Sequence, residues 1–403
     1  MLVLDEPETH KEYMEELLKD PLLFYRVILD GLDDRIVGES EARKVVFLCA
    51  IGSMVLNANR TSYNLMVNSE SGAGKDHLVD NILKLFEPKR VCKRTRISPM
   101  ALTYWHNSLF EPKWTWDSKI LYLEDCSNEI LNSDVFKVFT SGGSHATIVK
   151  DQRAIDIKIV GKPVVIITSA SAAPEPELIR RFLVVNLTET EEQTKEIMEK
   201  WADHAKRGYI PKKTNKYGTA LKFLKPQKVK IPFAKEILQH LPSKQIIMRT
   251  QISRFLDFIK ASAVLYQFVR EKDVEGYIVA DGQDYNYARE VMLATSSNSD
   301  FVPLTINQKE VIEILKEMGM NIVGEGTQEK EIGWSVPELL TRLPISRAQL
   351  YREMNKLTKL GYVKKELYKG EYDNKPYAVY HYKEQIPFTL PTWEKVVSTV
   401  SRA

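Results

Sequence analysis

The sequence predicts an α/β fold with a mostly parallel sheet, extended by a helical region and closed by a C-terminal winged helix. Three observations predict it. Between residues 61 and 187, short β-rich runs alternate with helical stretches, the rhythm of strands joined by helical crossovers. One of those strands runs straight into a glycine-rich loop and then a helix, at residues 65–86. Between 303 and 385 the order helix, helix, helix, hairpin is that of a winged helix.

The 403 residues are enough for two to three domains at about 150 residues each. Periodicity divides them further. Residues 1–60 read as a helical segment leading into the core: Tyr13, Leu17 and Leu18 recur at helical spacing, and residues 41–57 carry Val45, Val46, Leu48, Cys49, Ile51, Met54 and Val55. A turn at Asp33 to Gly38 separates these helices. Residues 61–187 form the α/β core, with strands expected at 64–68, 90–97, 119–124 and 163–169 and a helix at 75–86. Residues 188–300 are mainly helical; the stretch 249–270 sets Ile252, Phe255, Leu256, Ile259, Ala263 and Val264 on one stripe. Residues 301–385 are the winged helix, with helices at 307–318, 337–342 and 347–360 and strands at 362–368 and 377–382. Lys369-Gly370 and Asp373-Asn374 stand where its wing bends. Residues 386–403 are left as a C-terminal tail.

Composition excludes several classes. With 43% hydrophobic and 28% charged residues, the chain is neither disordered nor fibrous. No apolar stretch approaches the roughly 20 residues needed to span a bilayer. The acidic start, MLVLDEPETHKEYMEE, lacks the basic and apolar regions of a secretory signal, so a cytoplasmic protein without a membrane partner is expected. Cys49, Cys92 and Cys126 are scattered, which excludes a disulfide framework or a zinc ribbon and suggests core thiols. The net charge of +3 is too small to argue for nucleic acid, so the distribution of charge must decide.

The strongest local signal is Ser69-Glu70-Ser71-Gly72-Ala73-Gly74-Lys75-Asp76, which matches the phosphate-loop pattern imperfectly. Its glycines let successive N–H groups and the helix N-terminus face nucleotide phosphates, and Lys75 supplies a cation to the β and γ oxygens. Ser71, Gly72, Ala73, Gly74, Lys75, Asp76 and His77 are therefore expected around the nucleotide, with ATP and Mg²⁺ as cofactors. Two positions depart from the pattern. Ser69 replaces the first glycine, and Asp76 stands where a Ser or Thr hydroxyl would hold Mg²⁺. Asp76 can ligate Mg²⁺, can weaken triphosphate binding through its charge, or can simply complement the helix dipole.

The apolar run Ile120 to Leu123 ends in Glu124 and Asp125, at the strand end where open α/β sheets place ligands. There the two carboxylates would orient Mg²⁺ and polarise an attacking water. Val164 to Ile167 is another buried strand, ending in Thr168 and Ser169, either of which could bond the water or the γ-phosphate or be a plain strand end.

In this order (phosphate loop, Glu-Asp strand, polar-ended strand, Arg-Arg-Phe, helical lid, winged helix) residues 30–385 resemble AAA+ ATPases. More narrowly, they resemble the replicative helicases of mobile genetic elements, relatives of the minichromosome-maintenance helicases. The segments DDRIVGESEARK, SESGAGKD, FKVFTSGGSHATIVKDQRAIDIKIVGKPVVIITSA and ISRFLDFIKASAVLYQ with DGQDYNYAREVM carry the likeness together. The resemblance implies that Ile36 and Val37 border the adenine and that Glu124 and Asp125 are the second acidic motif. Thr168 or Ser169 would be sensor 1, and Arg254, or else Arg249, sensor 2. Arg181, with Arg180 the alternative, would be an arginine finger completing a neighbouring subunit's site. A guanidinium suits that task because charge develops on the γ-phosphoryl group. The implied assembly is a homo-oligomer, a hexameric ring, acting on DNA with a primase or other replication proteins. No N-terminal domain like that of the minichromosome-maintenance helicases is present in the sequence.

Residues 146–159 alternate apolar and polar around a charged tip and read as a hairpin. In the resembling helicases such a hairpin enters the ring channel, which makes Lys150 and Arg153 the cations for DNA phosphates; a solvated surface hairpin is the alternative. From His204 to Lys230 there are nine Lys and Arg residues and no acidic one, a surface for tracking phosphates or a solvated lid loop. On the third winged-helix helix, Arg347, Gln349, Arg352, Asn355 and Lys356 are side chains suited to DNA grooves and backbone, with Leu350, Met354 and Leu357 facing inward. From 303 to 403, however, 15 basic residues face 13 acidic ones, so protein contacts remain the other use of this domain.

Overall fold

Runs of β-branched and aliphatic residues that are apolar on both sides of the chain build a sheet that must be covered on both faces. The computed structural model describes residues 6–69, 72, 74–105, 112–142, 145–150, 152–170, 181–187, 190–208, 216–241, 247–297, 306–323, 330–360, 362–369, 375–383 and 390–400. They fall into two units, Met1–Phe301 with Thr389–Ala403, and Val302–Phe388.

In the first unit the strands are β1 (Leu65–Ser69), β2 (Val91–Arg94), β3 (Ile120–Leu123), the pair β4 (His145–Lys150) and β5 (Arg153–Lys158), then β6 (Val164–Ala170) and β7 (Leu183–Asn186). β4 and β5 pair only with each other, antiparallel, as the hairpin expected from the alternation. The other five form one parallel sheet in the order β2-β3-β6-β1-β7. β6 thus lies between the strand that leads to the glycine loop and the strand that ends in Glu124. Register sets Val67 beside Thr168, and Leu123 beside Ile167, so the polar ends of all three strands share one edge.

One core cluster joins Met66, Leu121, Leu123, Val165 and Ile167 of the sheet to Trp116, Phe136, Phe139 and Phe182. The helices of this unit are α1 (Glu6–Leu18), α2 (Ser40–Gly52), α3 (Lys75–Leu83), α4 (Asp134–Gly142), α5 (Glu191–Arg207), α6 (Ile247–Leu265) and α7 (Gly282–Ser297), among shorter ones. α2 is buried continuously from Ala42 to Gly52, is apolar all round from Val45 onward, and packs against α3, α6 and α7. Its one deeply buried cation, Arg43, donates to the carbonyls of Ile28 (3.2 Å) and Ile36 (2.6 Å) and to Asp33 (3.0 Å), pinning the turn that precedes α2. Of the expected stripe on α6, Phe255, Ile259, Ala263 and Val264 are buried and Ile252 and Leu256 half-buried, and the helix stops at Leu265 rather than Arg270. Arg270 instead turns to buried Asp284 of α7, with Nε 2.7 Å from Oδ2.

The second unit is ordered α8 (Ile306–Met318), β10 (Asn321–Val323), β11 (Lys330–Ile332), β12 (Trp334–Ser335), α9 (Val336–Leu340), α10 (Arg347–Leu360), β13 (Val363–Tyr368) and β14 (Tyr377–Tyr382), β8 (Val229–Lys230) and β9 (Ile278–Val279) belonging to the first. β12, β14 and β13 form an antiparallel sheet in that order. Leu350, Met354 and Leu357 of α10 lie in its core with Val311, Leu315, Leu339 and Tyr380. The pair β10 and β11 was not anticipated, being only three residues per strand and free of turn dipeptides that would mark it.

The segment 386–403, expected as a tail, carries α11 (Trp393–Val400), which packs in the first unit. The Trp393 indole lies against Phe233 and Tyr285, the Tyr285 hydroxyl donates to the Pro391 carbonyl at 2.8 Å, and Arg289 Nε donates to the Leu390 carbonyl. No helix among the described residues is long and apolar enough to cross a membrane. Cys49 and Cys126 are buried, and Cys92 is half-buried.

A methyl group on Gly282 would lie inside the van der Waals surface of the Trp393 ring. Gly282→Ala therefore forces α11 outward and is expected to cost about 1–3 kcal/mol, as overpacking does. Thermal unfolding checks this: Tm should fall by several degrees, and an unchanged Tm would mean that α11 contributes nothing to the first unit.

Candidate nucleotide site

The chain leaves β1 at Ser69 and re-enters regular structure at Lys75, the first residue of α3. Glu70, Ser71 and Ala73 lie outside the described residues. Gly72 (φ 94°) and Gly74 (φ 86°) adopt the left-handed region that glycine tolerates, with open space where a side chain would project. That curl, together with the free N–H groups at the start of a nine-residue helix, makes an anion cradle. Lys75 is buried at the same point.

Asp76 follows it, and its surroundings are specific. Its Oδ1 accepts from the Thr168 hydroxyl and, at 3.1 Å, from the Tyr122 hydroxyl. The Thr168 oxygen in turn accepts the Asp125 N–H at 2.9 Å, and the Thr168 carbonyl accepts the Cys126 N–H at 2.8 Å. A hydroxyl has one proton to give and lone pairs to receive, so Thr168 is oriented from both sides. Asp125 sits at φ 46°, a conformation uncommon outside glycine, which these bonds to β6 hold in place. Burial first, and then the Asp76 charge, push the Tyr122 hydroxyl well above its ordinary pKa, so it stays a donor. Since side chains alternate along a strand, Ser169 faces away from this cluster, and it is buried.

Glu124 is held separately. Its carboxylate accepts from Lys93 Nζ (3.1 Å) and Thr95 Oγ1 (3.2 Å), and Lys93 also pairs with Asp80 of α3 at 2.7 Å. Burial opposes the Lys93 charge, but the bonds to Asp80 and Glu124 outweigh it and raise the ammonium above its ordinary range. Lys93, itself paired with Asp80, thus supports Glu124, and Tyr122 supports Asp76; nothing in the sequence marked these three partners, because each looks like an ordinary helix or strand residue.

Beside the loop opens a cleft of about 1180 Å³. Ile36 and Val37 line it from the turn pinned by Arg43, and Gly72, Gly74, His77 and Leu78 from the phosphate loop and α3. Its third wall is α5, through Gln193, Ile197, Met198 and Trp201, residues that the sequence reading did not single out. Their signal was available: α5 buries none of its residues, yet carries apolar side chains at i, i+1 and i+4, with Met198 and Trp201 mostly exposed. His77 Nε2 lies 2.8 Å from the Arg35 carbonyl, tying α3 to the turn.

The remaining candidates lie elsewhere. Arg254 is buried beside Cys49 and is not part of the cleft wall; burial lowers its pKa to about 10. Arg249 is exposed at the start of α6. Arg180 lies outside the described residues, whereas Arg181 donates to the Lys137 carbonyl and the Ser141 hydroxyl at the end of α4. It precedes β7, so it stands at the edge of the sheet opposite the phosphate loop, near Lys162 and Arg60. The hairpin places Lys150 and Arg153 as register partners at its tip, with Arg153 exposed. Of the basic run 204–230, residues 209–215 lie outside the described residues. Tyr217 is buried rather than displayed, and Lys230 pairs with Asp273 and Glu275. Arg347, Arg352, Asn355 and Lys356 are exposed on α10, and Gln349 is half-buried.

Residues 8–224, more than half of the chain, match the family described as MTBMA_p00010 P-loop domain. The chain belongs to this P-loop family. A comparison with curated proteins gives no match. As a P-loop protein with a parallel α/β core, it has the fold of a nucleoside triphosphatase, whose nucleotide typically binds with Mg²⁺. The residues present fit that ligand: a positive-φ glycine loop, a buried lysine and a helix N-terminus for phosphates, and a largely apolar cleft for a base. Among the described residues no three His, Cys, Asp or Glu side chains converge. Mg²⁺ would therefore rest on one or two carboxylates and the phosphates, as it commonly does, with Asp76, Glu124 and Asp125 the carboxylates at this end of the sheet.

Thr168→Val keeps the shape of the strand but removes the donor to Asp76 and the acceptor for Asp125. It is expected to lower stability by about 1–3 kcal/mol in denaturant unfolding and to cut triphosphate hydrolysis roughly tenfold, read by phosphate release. A second expectation concerns pH. Burial, then Arg181 and Arg60, depress the Lys162 ammonium from 10.5 to about 8. Between those values the unfolded chain holds the proton that the folded one has lost, so the contribution of Lys162 to stability rises with pH across that window. Lys162→Met should remove that contribution, so that the stability difference between variant and wild type changes with pH in denaturant unfolding from pH 7.5 to 10.5.

Proposed function

We propose that this P-loop protein is an ATP-driven DNA helicase or translocase of the AAA+ type. It works as a homo-oligomeric ring, hexameric by its resemblance to the minichromosome-maintenance-like helicases. The observation that carries the reading is the chain path from the hairpin to the nucleotide site. β5 leads directly into β6, and β6 ends at the Thr168 hydroxyl that joins Asp76 to Asp125. A change at the phosphates felt by those carboxylates has a short covalent route to the Lys150 and Arg153 tip, where DNA phosphates would be gripped. Arg181, at the sheet edge away from its own phosphate loop, would serve a neighbour's site, where a guanidinium stabilises charge on the γ-phosphoryl group.

In this reading α5, α6 and α7 form a lid over the core, Lys75 holds the β and γ oxygens, and Glu124 and Asp125 orient the attacking water. When bound, Mg²⁺ supplies charge neutralisation on the phosphates. Unit Val302–Phe388 is a winged helix: the element order and the antiparallel β12-β14-β13 sheet support it. Exposed Arg347, Arg352 and Lys356 on α10, with Gln349 beside them, would meet duplex DNA.

One observation favours a second reading, an ATP-switched replication initiator or regulator with little helicase activity. Asp76 occupies the position of the usual metal-binding hydroxyl and already accepts two hydrogen bonds. Hydrolysis stimulated by DNA, together with strand displacement, separates the two. The wild type is expected to do both, Lys75→Ala neither, and Lys150→Ala with Arg153→Ala to keep basal hydrolysis while losing the stimulation by DNA. ATP binding without displacement at any salt or polarity would overturn the helicase reading, and a monomer by light scattering with ATP and single-stranded DNA would remove Arg181 as a finger.

A further inference from the structure

We propose that Trp201, with Met198 beside it, is the platform on which the base of the bound nucleotide stacks, and that it selects purine over pyrimidine triphosphates. This rests on the nucleotide reading above and adds a specificity-determining residue to it. α5 carries Thr194, Met198 and Trp201 at i, i+4 and i+7, with Gln193, Ile197 and Lys200 on the adjoining row, and all six line the cleft. Trp201 is 69% exposed and Met198 62%, so both side chains are open to a ligand in that cleft.

Two polar ties set the spacing between this helix and the turn that faces it. Gln193 Nε2 donates to Glu39 Oε1 at 2.8 Å, and Lys200 Nζ donates to the Asp33 carbonyl. The apolar residues that line the cleft between these ties are Ile36 and Val37 on the turn and Ile197 and Met198 on α5. Trp201 follows the second tie directly. Seven helical residues separate the ties, about 10 Å at 1.5 Å per residue, which is room for a bicyclic base. The slot is held open before any ligand arrives, since Arg43 fixes the turn to the core and the ties fix α5 to the turn.

Scattered apolar residues on a surface need no explanation, but an indole and a thioether set together along one wall of a cleft do. Gly72 and Gly74 of the phosphate loop line the same cleft. A ligand whose phosphates rest on that loop therefore brings its base toward α5. A base offers a flat π-face, for which an indole is the largest side-chain partner, and the polarizable sulfur of Met198 packs well against an aromatic edge. Stacking grows with the area of overlap, so two fused rings gain more from Trp201 than one.

Equilibrium binding of ATP, CTP and inorganic triphosphate, which has no base, tests the assignment. The wild type is expected to bind ATP more tightly than CTP, and both more tightly than inorganic triphosphate. Trp201→Ala should weaken ATP about tenfold, the effect of removing one base–aromatic stack, weaken CTP less, and leave inorganic triphosphate unchanged. Trp201→Phe should keep most of the ATP affinity. Equal loss of all three ligands in Trp201→Ala would show that the residue only positions α5, and would overturn the proposal. So would an unchanged ATP affinity in that variant; if its assembly by light scattering were lost instead, the face would belong to a second copy of the chain. A wild type that binds ATP no better than inorganic triphosphate would also overturn it, although the phosphate site itself would then stand. A folded wild type that binds none of the three would overturn the nucleotide reading along with it.

Discussion

A single buried hydroxyl, that of Thr168, joins three elements far apart in sequence. It gives its proton to Asp76 on α3 and receives the N–H of Asp125 beyond β3. This is possible only because β6 runs between β1 and β3 in the sheet. Had the phosphate-loop strand and the acidic strand been neighbours, Asp76 and Asp125 would face each other without an intervening donor, and two carboxylates in that proximity repel. The strand order is therefore an electrostatic arrangement as much as a topological one. Tyr122 adds a second donor to Asp76 from the acidic strand itself, so the carboxylate that replaces the usual hydroxyl is compensated within the fold.

A second constraint shapes the base side of the site. Arg43, buried in the first turns of a helix that is apolar from Val45 onward, directs its guanidinium to the turn that carries Ile36. Leaving such a charge without partners would be prohibitive, so the turn is bound as firmly as α2 itself. The opposing wall, α5, has no such anchor and displays apolar residues to the cleft. One wall is thus fixed by the core, and the other is held by caps and by bonds such as those of Gln193 to Glu39 and Val37.

Much of this was legible from residue patterns, and the reasons for the failures are physical. The β1, β3 and β6 strands announced themselves because continuous apolar runs have no other place to be, and the hairpin because it alternates. Glycines at 72 and 74 marked the loop for the same reason that they occupy it, their positive φ. The network around Asp76 was not legible, since Tyr122, Lys93 and Asp80 become partners only through strand order and register, which no local spacing encodes. The basic run from 204 to 230 misled in the opposite direction: it contains no acid, but Asp273 and Glu275, over 40 residues later, come back to Lys230. Between Thr168 and Ser169, adjacent and chemically alike, only the alternation of the strand in its sheet decides which one faces the carboxylates.

The last helix also alters how the chain must be assembled. Because α11 packs against Phe233, Tyr285 and Gly282, the first unit is finished by residues made after the whole of Val302–Phe388. On the ribosome the second unit can fold as soon as it emerges, whereas the first waits for its final helix with the apolar faces around Tyr285 uncovered. Contacts of that sequence separation slow folding and prolong exposure. The second unit is accordingly an insertion tethered at both ends, and not a pendant that can be trimmed away: cutting the chain at residue 386 would remove a piece of the first unit's own core.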